Sequence, residues 1–447
     1  MNEDRIPVVV AAGQVLERDE PVTALDLAER AAAAALVEAP ALRGRIDRVS
    51  VVGIISPIGP APAAALAARL GIRGAVTETT TIGGNSPQML VTRAARDVAA
   101  GRLAATLIAG AESMRSARSG HRRVAEDSTG PPDPVVGDAR PGVGPAESAL
   151  GLVVPVHLYA MFESAIAAQA NRSHAAHRAE LGRLLAPFTA TAAAHPTAWF
   201  RERLGADGIS TPTAANRIVA EPYTKRMAAF LYVDQGAALL LCSLAAARAA
   251  GVADRAVFVW AGAACDDVWA PVARPALGRS PGIAAAAGAT LAAAGVGIDD
   301  VAHLDLYSCF PAAVSAACRA LSLAPDDPRG LTVTGGLPYF GGPGNNYSTH
   351  AIATLTDRLR HGGTGLGLVG ALGWYTTKHA YGLYGAAPPE RGFVAPDTSA
   401  RQRAIDATAL PVALGVDRPN RGTVAAATVV YDRETVSAAP VVATVDD

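Results

Sequence analysis

A β-branched, polar run at residues 77–81 stops at a pair of glycines, and a helix-like stretch begins almost at once. The turn reads Thr81-Ile82-Gly83-Gly84-Asn85-Ser86-Pro87-Gln88-Met89-Leu90. Glycines allow backbone geometry that a side chain forbids. Asn85-Ser86 sits where an N-cap belongs, and Pro87 suits the first helical turn. The helix is expected over 86–100, with Gly101 as its C-cap, and a strand over 104–111. A strand feeding a helix that feeds another strand is the unit of an α/β fold with buried sheets. The unit extends upstream, where 8–12 and 49–55 read as strands and 22–37 and 63–70 as helices.

The pattern breaks at residues 115–150, which are rich in Arg, Gly, Pro and Asp around Pro131-Pro132-Asp133-Pro134 and read as a surface loop. Helical segments are expected at about 155–170, 173–194 and 212–219. The α/β pattern resumes at Asp234-Gln235-Gly236-Ala237-Ala238 and runs a second round. Strands are expected at 256–262, 304–307, 331–334 and 365–372, and helices at 281–295, 311–323 and 347–361. The chain thus divides into an N-terminal half (1–114 with 233–250), an inserted unit (115–232), a C-terminal half (251–385) and a tail (386–447). The tail carries β-rich runs at 423–431 and 436–445, a hairpin around Asp432-Arg433-Glu434. Two strands alone are marginal in water, so the hairpin must dock or stay poorly ordered.

Half of the 447 residues are hydrophobic and 18% are charged, enough for a large core. A net charge of −1, with Lys and Arg spread along the chain, argues against a nucleic-acid partner. Cys242, Cys265, Cys309 and Cys318 show no CxxC spacing and read as reduced thiols. No signal sequence opens the chain, and no uninterrupted apolar run reaches the ~20 residues that span a bilayer. A cytoplasmic protein is expected. There is no phosphate loop, dinucleotide fingerprint or metal-ligand cluster.

The glycine turn, its helix and the strand ending Ala109-Gly110-Ala111-Glu112-Ser113-Met114 together resemble the first half of a thiolase. The resemblance extends through Asp234-Gln235-Gly236-Ala237-Ala238 and the segment Gly335-Gly336-Leu337-Pro338-Tyr339-Phe340-Gly341-Gly342-Pro343. It implies a duplicated five-layered αβαβα core with a helical loop-domain insertion and a short β-rich C-terminal tail. Thiolases use a helix-start cysteine as nucleophile, a Gly-His-Pro histidine, a second cysteine and an oxyanion-holding Asn or His. Family spacing puts the first cysteine at Gly84, the histidine at Gly342 and the second cysteine at Leu372. The ping-pong thiolase mechanism is excluded on these residues. The chain looks most like the thiolase-like proteins labelled acetyl-CoA acetyltransferases, which lack the catalytic cysteine and carry an extra C-terminal segment. In some relatives that segment resembles an OB fold; here it looks too short to close one.

What the resemblance leaves for chemistry is sparse. Tyr307, in Asp305-Leu306-Tyr307-Ser308-Cys309-Phe310-Pro311, occupies the Asn/His position, where its O–H can donate to an oxyanion. Thiolase-related aldolases also carry a tyrosine there. Cys309 matches a non-catalytic cysteine of the sterol-carrier type, and a Cys309 acyltransferase is the third reading. His350 lies two helical turns beyond Gly342. His379, in the Gly-spaced aromatic cluster at 378–385, is the remaining acid/base candidate at the old pocket, or a solvated loop histidine. Trp374-Tyr375-Thr376 replaces the family's triple glycine and would narrow that pocket.

A coenzyme A thioester, not covalently held, is the ligand the resemblance implies. Asn85 and Ser86 offer it helix N-terminal N–H groups, and Gly336, Gly341, Gly342 and Pro343 offer close backbone approach. Arg122 and Arg123, in the basic run from Arg115, and Lys225 are candidates for its phosphates. An enzyme of non-covalent C–C cleavage or acyl transfer, using Tyr307 and His379, is one function. The alternative is a non-catalytic scaffold for an active thiolase or an OB-fold-type partner. A homodimer is expected through an edge strand that follows the nucleophile helix. Whether the pocket survives Trp374 and Tyr375 separates the enzyme from the scaffold.

Overall fold

The computed structural model describes residues 2–120, 125, 127–362, 364–414 and 421–445. The first half runs β1 (Pro7–Leu16), α1 (Ala24–Glu38), β2 (Ile46–Val51), α2 (Pro62–Arg69), β3 (Val76–Thr80), α3 (Ser86–Ala99) and β4 (Ala105–Ser113). Then come α4 (Met114–Arg118), β5 (Val135–Val136), α5 (Pro145–Ala149), α6 (Pro155–Gln169), α7 (His174–Ala194), α8 (Ala206–Ser210), β6 (Ile218–Ala220) and β7 (Tyr223–Thr224). The core resumes with β8 (Asp234–Ser243), α9 (Leu244–Ala249), β9 (Val257–Asp266), α10 (Pro281–Ala294), β10 (Val301–Asp305) and α11 (Pro311–Leu321). It closes with α12 (Tyr347–Arg360), β11 (Leu366–Gly373) and β12 (Lys378–Gly385). The tail holds α13 (Ser399–Asp406), β13 (Gly422–Ala427), β14 (Val430–Asp432), β15 (Thr435–Ala438) and β16 (Val441–Val445).

Among the described residues, the main sheet has the order β10-β11-β12-β9-β1-β8-β4-β2-β3-β5. Its halves meet at a thin seam, where β1 and β9 share only Val8↔Phe258 and Val9↔Val257. Numbered within its own half, the first side follows the order 3-2-4-5-1, and the second follows 2-4-5-1, with 331–334 at the place of the missing third strand. β8 runs antiparallel to β1 and β4, as β12 does to β9 and β11. β2 runs parallel to β4, as β10 does to β11. The duplication that was a weak pattern in sequence is therefore explicit in topology. α1 and α2 cover one outer face and α10 another, while α3 and α12 each touch strands of both halves. The result is helix–sheet–helix–sheet–helix, the expected five layers. β4, β11 and β12 are buried along their whole length, as strands covered on both faces must be. α3 buries Pro87, Leu90, Val91, Ala94, Ala95 and Val98, a helical stripe facing the core. α1 starts at a reciprocal cap in which Thr23 and Asp26 bond each other's backbone N–H.

Four expectations change. Residues 331–334 form no strand, because side chains take their N–H groups. Asp305 Oδ2 accepts from Val333 N (2.9 Å), and Thr332 Oγ1 accepts from Thr334 N (3.2 Å) and Gly335 N (3.0 Å). Residues 212–219 form no helix: Asn216 Nδ2 ties back to the carbonyls of Ile209 (2.9 Å) and Thr211 (3.1 Å), and 218–220 become β6. Residues 378–385 are an internal strand rather than a loop. The strand following α3 is β4, which is paired on both sides and so is not an edge. The outer edge of β3 carries β5, in register Thr79↔Val135 and Thr80↔Val136.

The tail forms the expected hairpin, β14–β15, flanked by a β13–β16 pair. It docks on the inserted segment. β14 joins β6 through Val430↔Ala220, Glu221 N donates to Val429 O (2.9 Å), and Thr428 Oγ1 donates to Glu221 O (2.8 Å). Among the described residues, no helix is long and apolar enough to cross a membrane, and no cluster of three or more His, Cys, Asp or Glu could hold a metal ion. All four cysteines are free and buried.

Candidate functional site

The glycine turn is clamped from the opposite half. Gly83 sits at φ +154°, and its N–H donates to Asn345 Oδ1 (2.9 Å). Asn345 Nδ2 donates to Gly53 O (2.7 Å), Asn346 Nδ2 to Gly110 O (2.6 Å), and Ser348 Oγ to Gly84 O (3.2 Å). Asn345 and Asn346 lie in the turn that leads into α12 and Ser348 in its first turn, so the entry of one middle-layer helix fixes the entry of the other. The expected side-chain cap on α3 is absent. Asn85 has helical φ/ψ of −74° and −17°, whereas a capping residue needs extended backbone, and its Oδ1 is buried without a partner. Ser86 Oγ donates to Thr81 O (3.2 Å), so its hydroxyl also serves the turn.

Gly84 has no room for a side chain. A Cβ built there would lie 2.2 Å from Tyr307 Oη, 2.7 Å from Tyr307 Cζ and 2.5 Å from Leu372 O. The space beside Gly84 is thus filled by Tyr307, two residues beyond β10, the counterpart of β2 in the other half. Burial pushes the Tyr307 hydroxyl far above its ordinary range, with Cys309 adding to the shift. A group held protonated can donate a hydrogen bond and is no base at neutral pH.

Lys378, from β12, is the charged group at this turn. It is 3% exposed, and its Nζ donates to Ile82 O at 2.7 Å. A Cβ on Gly83 would lie 2.7 Å from that nitrogen. Among the described residues no carboxylate lies within ion-pair distance of Lys378, and burial lowers its pKa, with Asp266 and Asp138 opposing. Lysine is the side chain whose pKa shifts readily on burial.

Strand alternation sends His379 to the opposite face. Its Nε2 lies 3.0 Å from Asp267 Oδ2 and 3.2 Å from Ser280 Oγ, at the start of α10, and the ring is 1% exposed. It is neither a solvated loop residue nor at the turn. His350 is wholly buried, with Nδ1 on Gln14 Oε1 (2.8 Å) and its ring edge-on to Phe340. Burial, then the nearby His195, pushes it down to about 3, so it stays neutral. Leu372 turns its side chain into the core and its carbonyl toward Gly84.

Gly342 donates its N–H to Phe230 O (2.8 Å), and a Cβ there would meet Leu231 and Phe230 at 3.3 Å. Gly336 and Gly341 take positive φ where they approach Phe188 and Gln235, so these glycines make room for protein. Pro343 is buried and its carbonyl accepts from Asn346 N (2.9 Å).

The β11–β12 turn keeps the shape of the glycines it lacks. Trp374 and Thr376 sit at φ +58° and +51°, left-handed backbone that glycine adopts without strain. Packing holds them there. Tyr159 Oη donates to Trp374 O (3.0 Å) and accepts from Thr376 N (3.0 Å). The buried Arg274 bonds Tyr375 O and Thr377 Oγ1, each at 2.9 Å, and Tyr375 Oη donates to Val153 O (2.6 Å). The Trp374 ring lies against Gly142 of the inserted segment, where a Cβ would be 2.3 Å away.

The basic residues separate. Arg115 is committed to Asp234 (3.2 Å) and to the carbonyls of Asp19 and Glu20. Arg118 stacks on Tyr232, 4.2 Å from the ring centre. Lys225 is exposed. His121, Arg122 and Arg123 lie outside the described residues. Burial pushes the Cys309 thiol up to about 12, which removes the thiolate a nucleophile needs.

The sequence reading did not assign roles to Lys378, Asn345 and Asn346. Period-two alternation over 378–385, with Lys378, Ala380, Gly382 and Tyr384 on one face, was the available signal for Lys378. Nothing local marks the asparagines, because their partners Gly53, Gly83 and Gly110 are more than two hundred residues away in the chain.

Comparison with family profiles and with curated proteins gave no match. Solved structures did. A monomeric SCP2-thiolase-like protein type 1 from Mycobacterium smegmatis is 33% identical, with a TM-score of 0.83 over 96% of this chain and 88% of that one. The Ltp2–ChsH2(DUF35) aldolase is 17% identical, with a TM-score of 0.63 over 86% of this chain and 98% of that one. Human mitochondrial 3-ketoacyl-CoA thiolase is 16% identical, with a TM-score of 0.62 over 86% and 99%. The last two share the fold.

Proposed function

The chain belongs to the SCP2-thiolase-like proteins, and on that premise we propose that it binds a coenzyme A thioester, or a related thioester, at the turn of residues 83–86 without becoming acylated. The observation that carries this is the Tyr307 hydroxyl standing where a nucleophile's Cβ would be. The covalent route is closed by volume as well as by residue type. In its place the turn has a protonated phenol, a buried lysine and the start of α3, the polar groups that a thioester carbonyl oxygen accepts from.

C–C cleavage, or acyl transfer to a bound acceptor, needs one group that donates and one that moves a proton. Tyr307 takes the donor role. The proton-moving role goes to Lys378, whose pKa burial lowers, and not to His379, which Asp267 and Ser280 hold on the far face. Lys225, Arg122 and Arg123 remain the proposed contacts of the nucleotide phosphates.

Calorimetric titration with coenzyme A and several acyl-CoAs, paired with intact-protein mass, tests this. Acyl-CoA is expected to bind with no mass gain. Tyr307→Phe is expected to weaken acyl-CoA about tenfold, the worth of one hydrogen bond to a carbonyl, and coenzyme A less. Absence of binding at millimolar concentration, or a stable acyl adduct, overturns the reading.

A second reading, a non-catalytic binding subunit, is favoured by the packing of Trp374 and Tyr375 against Gly142 and Val153. Under it the pocket is closed, and the chain serves a partner, as the aldolase complex pairs two proteins. Trp374→Gly separates the two: acyl-CoA binding that appears only in this variant supports the closed subunit. The coverage of β3 by β5 supports a monomer, which light scattering checks.

A further inference from the structure

Away from the turn, a cleft of about 750 Å³ lies between α6 and α7 of the inserted segment and α11 of the second half. Clefts of roughly 300–1,000 Å³ hold small organic ligands. Ile166, Leu181, Leu184 and Leu323 give it apolar walls.

His177 lines this cleft and is 2% exposed. Its Nε2 lies 2.7 Å from Glu163 Oε1, and the other oxygen of that carboxylate accepts from Tyr223 Oη at 2.6 Å. Glu163 is fully buried. In the neutral ring the nitrogen that faces the carboxylate carries the hydrogen, and Nδ1 then presents a lone pair. That Nδ1 is buried and has no partner among the described residues. A buried polar atom left unmatched is uncommon and calls for a partner, here one that the described residues do not supply.

Arg172, Arg183 and Arg319 line the cleft with the carboxylates of Glu180 and Asp326, and the charges are unevenly matched. Arg172 (3.8 Å) and Arg183 share one carboxylate, Glu180. Among the described residues Arg319 bonds only neutral oxygens, Gln169 Oε1 (2.7 Å) and Gly278 O (2.9 Å), and it uses a single guanidinium nitrogen for both. Cys318 also lines the cleft, but burial pushes its thiol up to about 12, so it is a wall and not a nucleophile.

We propose that this cleft binds a small amphipathic hydroxy acid. Its hydroxyl donates to His177 Nδ1, its carboxylate meets Arg319, and its apolar chain lies along Ile166, Leu181 and Leu184. The cleft shares no lining residue with the turn at 83–86, so the proposal stands or falls apart from the thioester reading.

Calorimetry on the full chain with 3-hydroxyoctanoate, octanoate and octylamine tests it. Saturable one-to-one binding of 3-hydroxyoctanoate is expected, with octanoate about tenfold weaker and octylamine silent, since one hydrogen bond and one charge sign separate the three. Arg319→Gln is expected to weaken 3-hydroxyoctanoate about tenfold or more. His177→Phe is expected to abolish the preference for the hydroxyl, and Tyr307→Phe to leave the titration unchanged. If His177→Phe does not fold, the three-ligand comparison and Arg319→Gln still decide. Failure of 3-hydroxyoctanoate to bind, equal binding of octylamine, or indifference to Arg319→Gln overturns the proposal.

Discussion

The third strand of the first half and its counterpart in the second are held by different physics. β3 is zipped to β2 by main-chain hydrogen bonds and carries β5 on its outer edge. Residues 331–334 have no such ladder. One carboxylate, Asp305, gathers Val333 N (2.9 Å), Thr332 Oγ1 (2.9 Å) and Tyr347 Oη (3.1 Å), and so pins the segment to β10 and to α12. A ladder spreads its energy over groups every residue owns; a hub concentrates it on one side chain.

The comparison breaks most sharply at Asp305. Asp305→Ala leaves a buried N–H and two hydroxyls without their acceptor, and a loss of about 3–5 kcal/mol in urea denaturation is expected. Val76→Ala, on the exposed face of β3, is expected to cost no more than about 0.5 kcal/mol, since the ladder does not use its side chain. Similar losses at the two sites would mean that the hub is not what holds 331–334.

The hub also titrates. Burial raises the Asp305 carboxyl from 3.8 to about 6, against the hydrogen bonds from Val333, Thr332 and Tyr347. The folded protein then holds a proton that the unfolded chain releases near its ordinary value. The associated stability is present below about pH 4 and is lost as pH rises through about 6, by roughly 2–3 kcal/mol. Asp266 is raised to about 6 as well, so the profile of one protein mixes both groups. The difference between wild type and Asp305→Asn isolates the hub: wild type should lose its relative advantage between pH 4 and 7. A flat difference would sink the assignment.

The turn at 83–86 is a third arrangement, a loop fastened by the other half's asparagines. Asn345→Ala leaves Gly83 N and Gly53 O unmatched in the interior, and about 2–3 kcal/mol is expected. Asn345→Asp keeps the acceptor for Gly83 N but loses the donor to Gly53 O. It should not restore wild-type stability, and full recovery would show that only the turn's N–H matters.

These contrasts also explain what could be read from residue order. Layering was legible because strands covered on both faces are continuously apolar and α3 carries a helical stripe, both local signals. The turn's identity was legible from Gly83, Gly84 and the strand ending at Ser113. The failures share one cause. The state of 331–334 depends on Asp305, and that of 212–219 on Asn216 and a tail strand two hundred residues later. His379 looked loop-borne because Gly382 and Gly385 read as punctuation, although in a central strand they give space to Gln88 and Trp260. The site was misweighted likewise: absence of cysteine showed at once, but that Tyr307 had moved into its volume needed the second half in place.

That exchange of volume can be measured. Gly84→Ala alone drives a methyl into Tyr307 and Leu372 O, and about 1–3 kcal/mol is expected to be lost. Tyr307→Ala alone opens a cavity and costs about 3–5 kcal/mol. The double variant should cost less than the sum by about 1–2 kcal/mol, because the methyl enters space the ring has left, though Leu372 O still limits relief. Additive losses would mean that the ring and the turn do not compete for the same volume.

A small stability effect is expected at another buried charge, Lys378. Asp305 is surrounded by donors and holds two segments together, whereas Lys378 has one described hydrogen bond, to a carbonyl that also lies at the turn. Replacing it by Met keeps the aliphatic length, loses that bond and removes the desolvation that lowers its pKa. The two terms oppose, so Lys378→Met should stay within about 1 kcal/mol of wild type in urea denaturation. Acyl-CoA binding by the same variant is expected to fall about tenfold or more. A large stability loss with binding intact would place Lys378 with Asp305, as a structural charge. The reverse pattern fits a charge kept at a cost in folding, and the thiolase turn is where a ligand would use it.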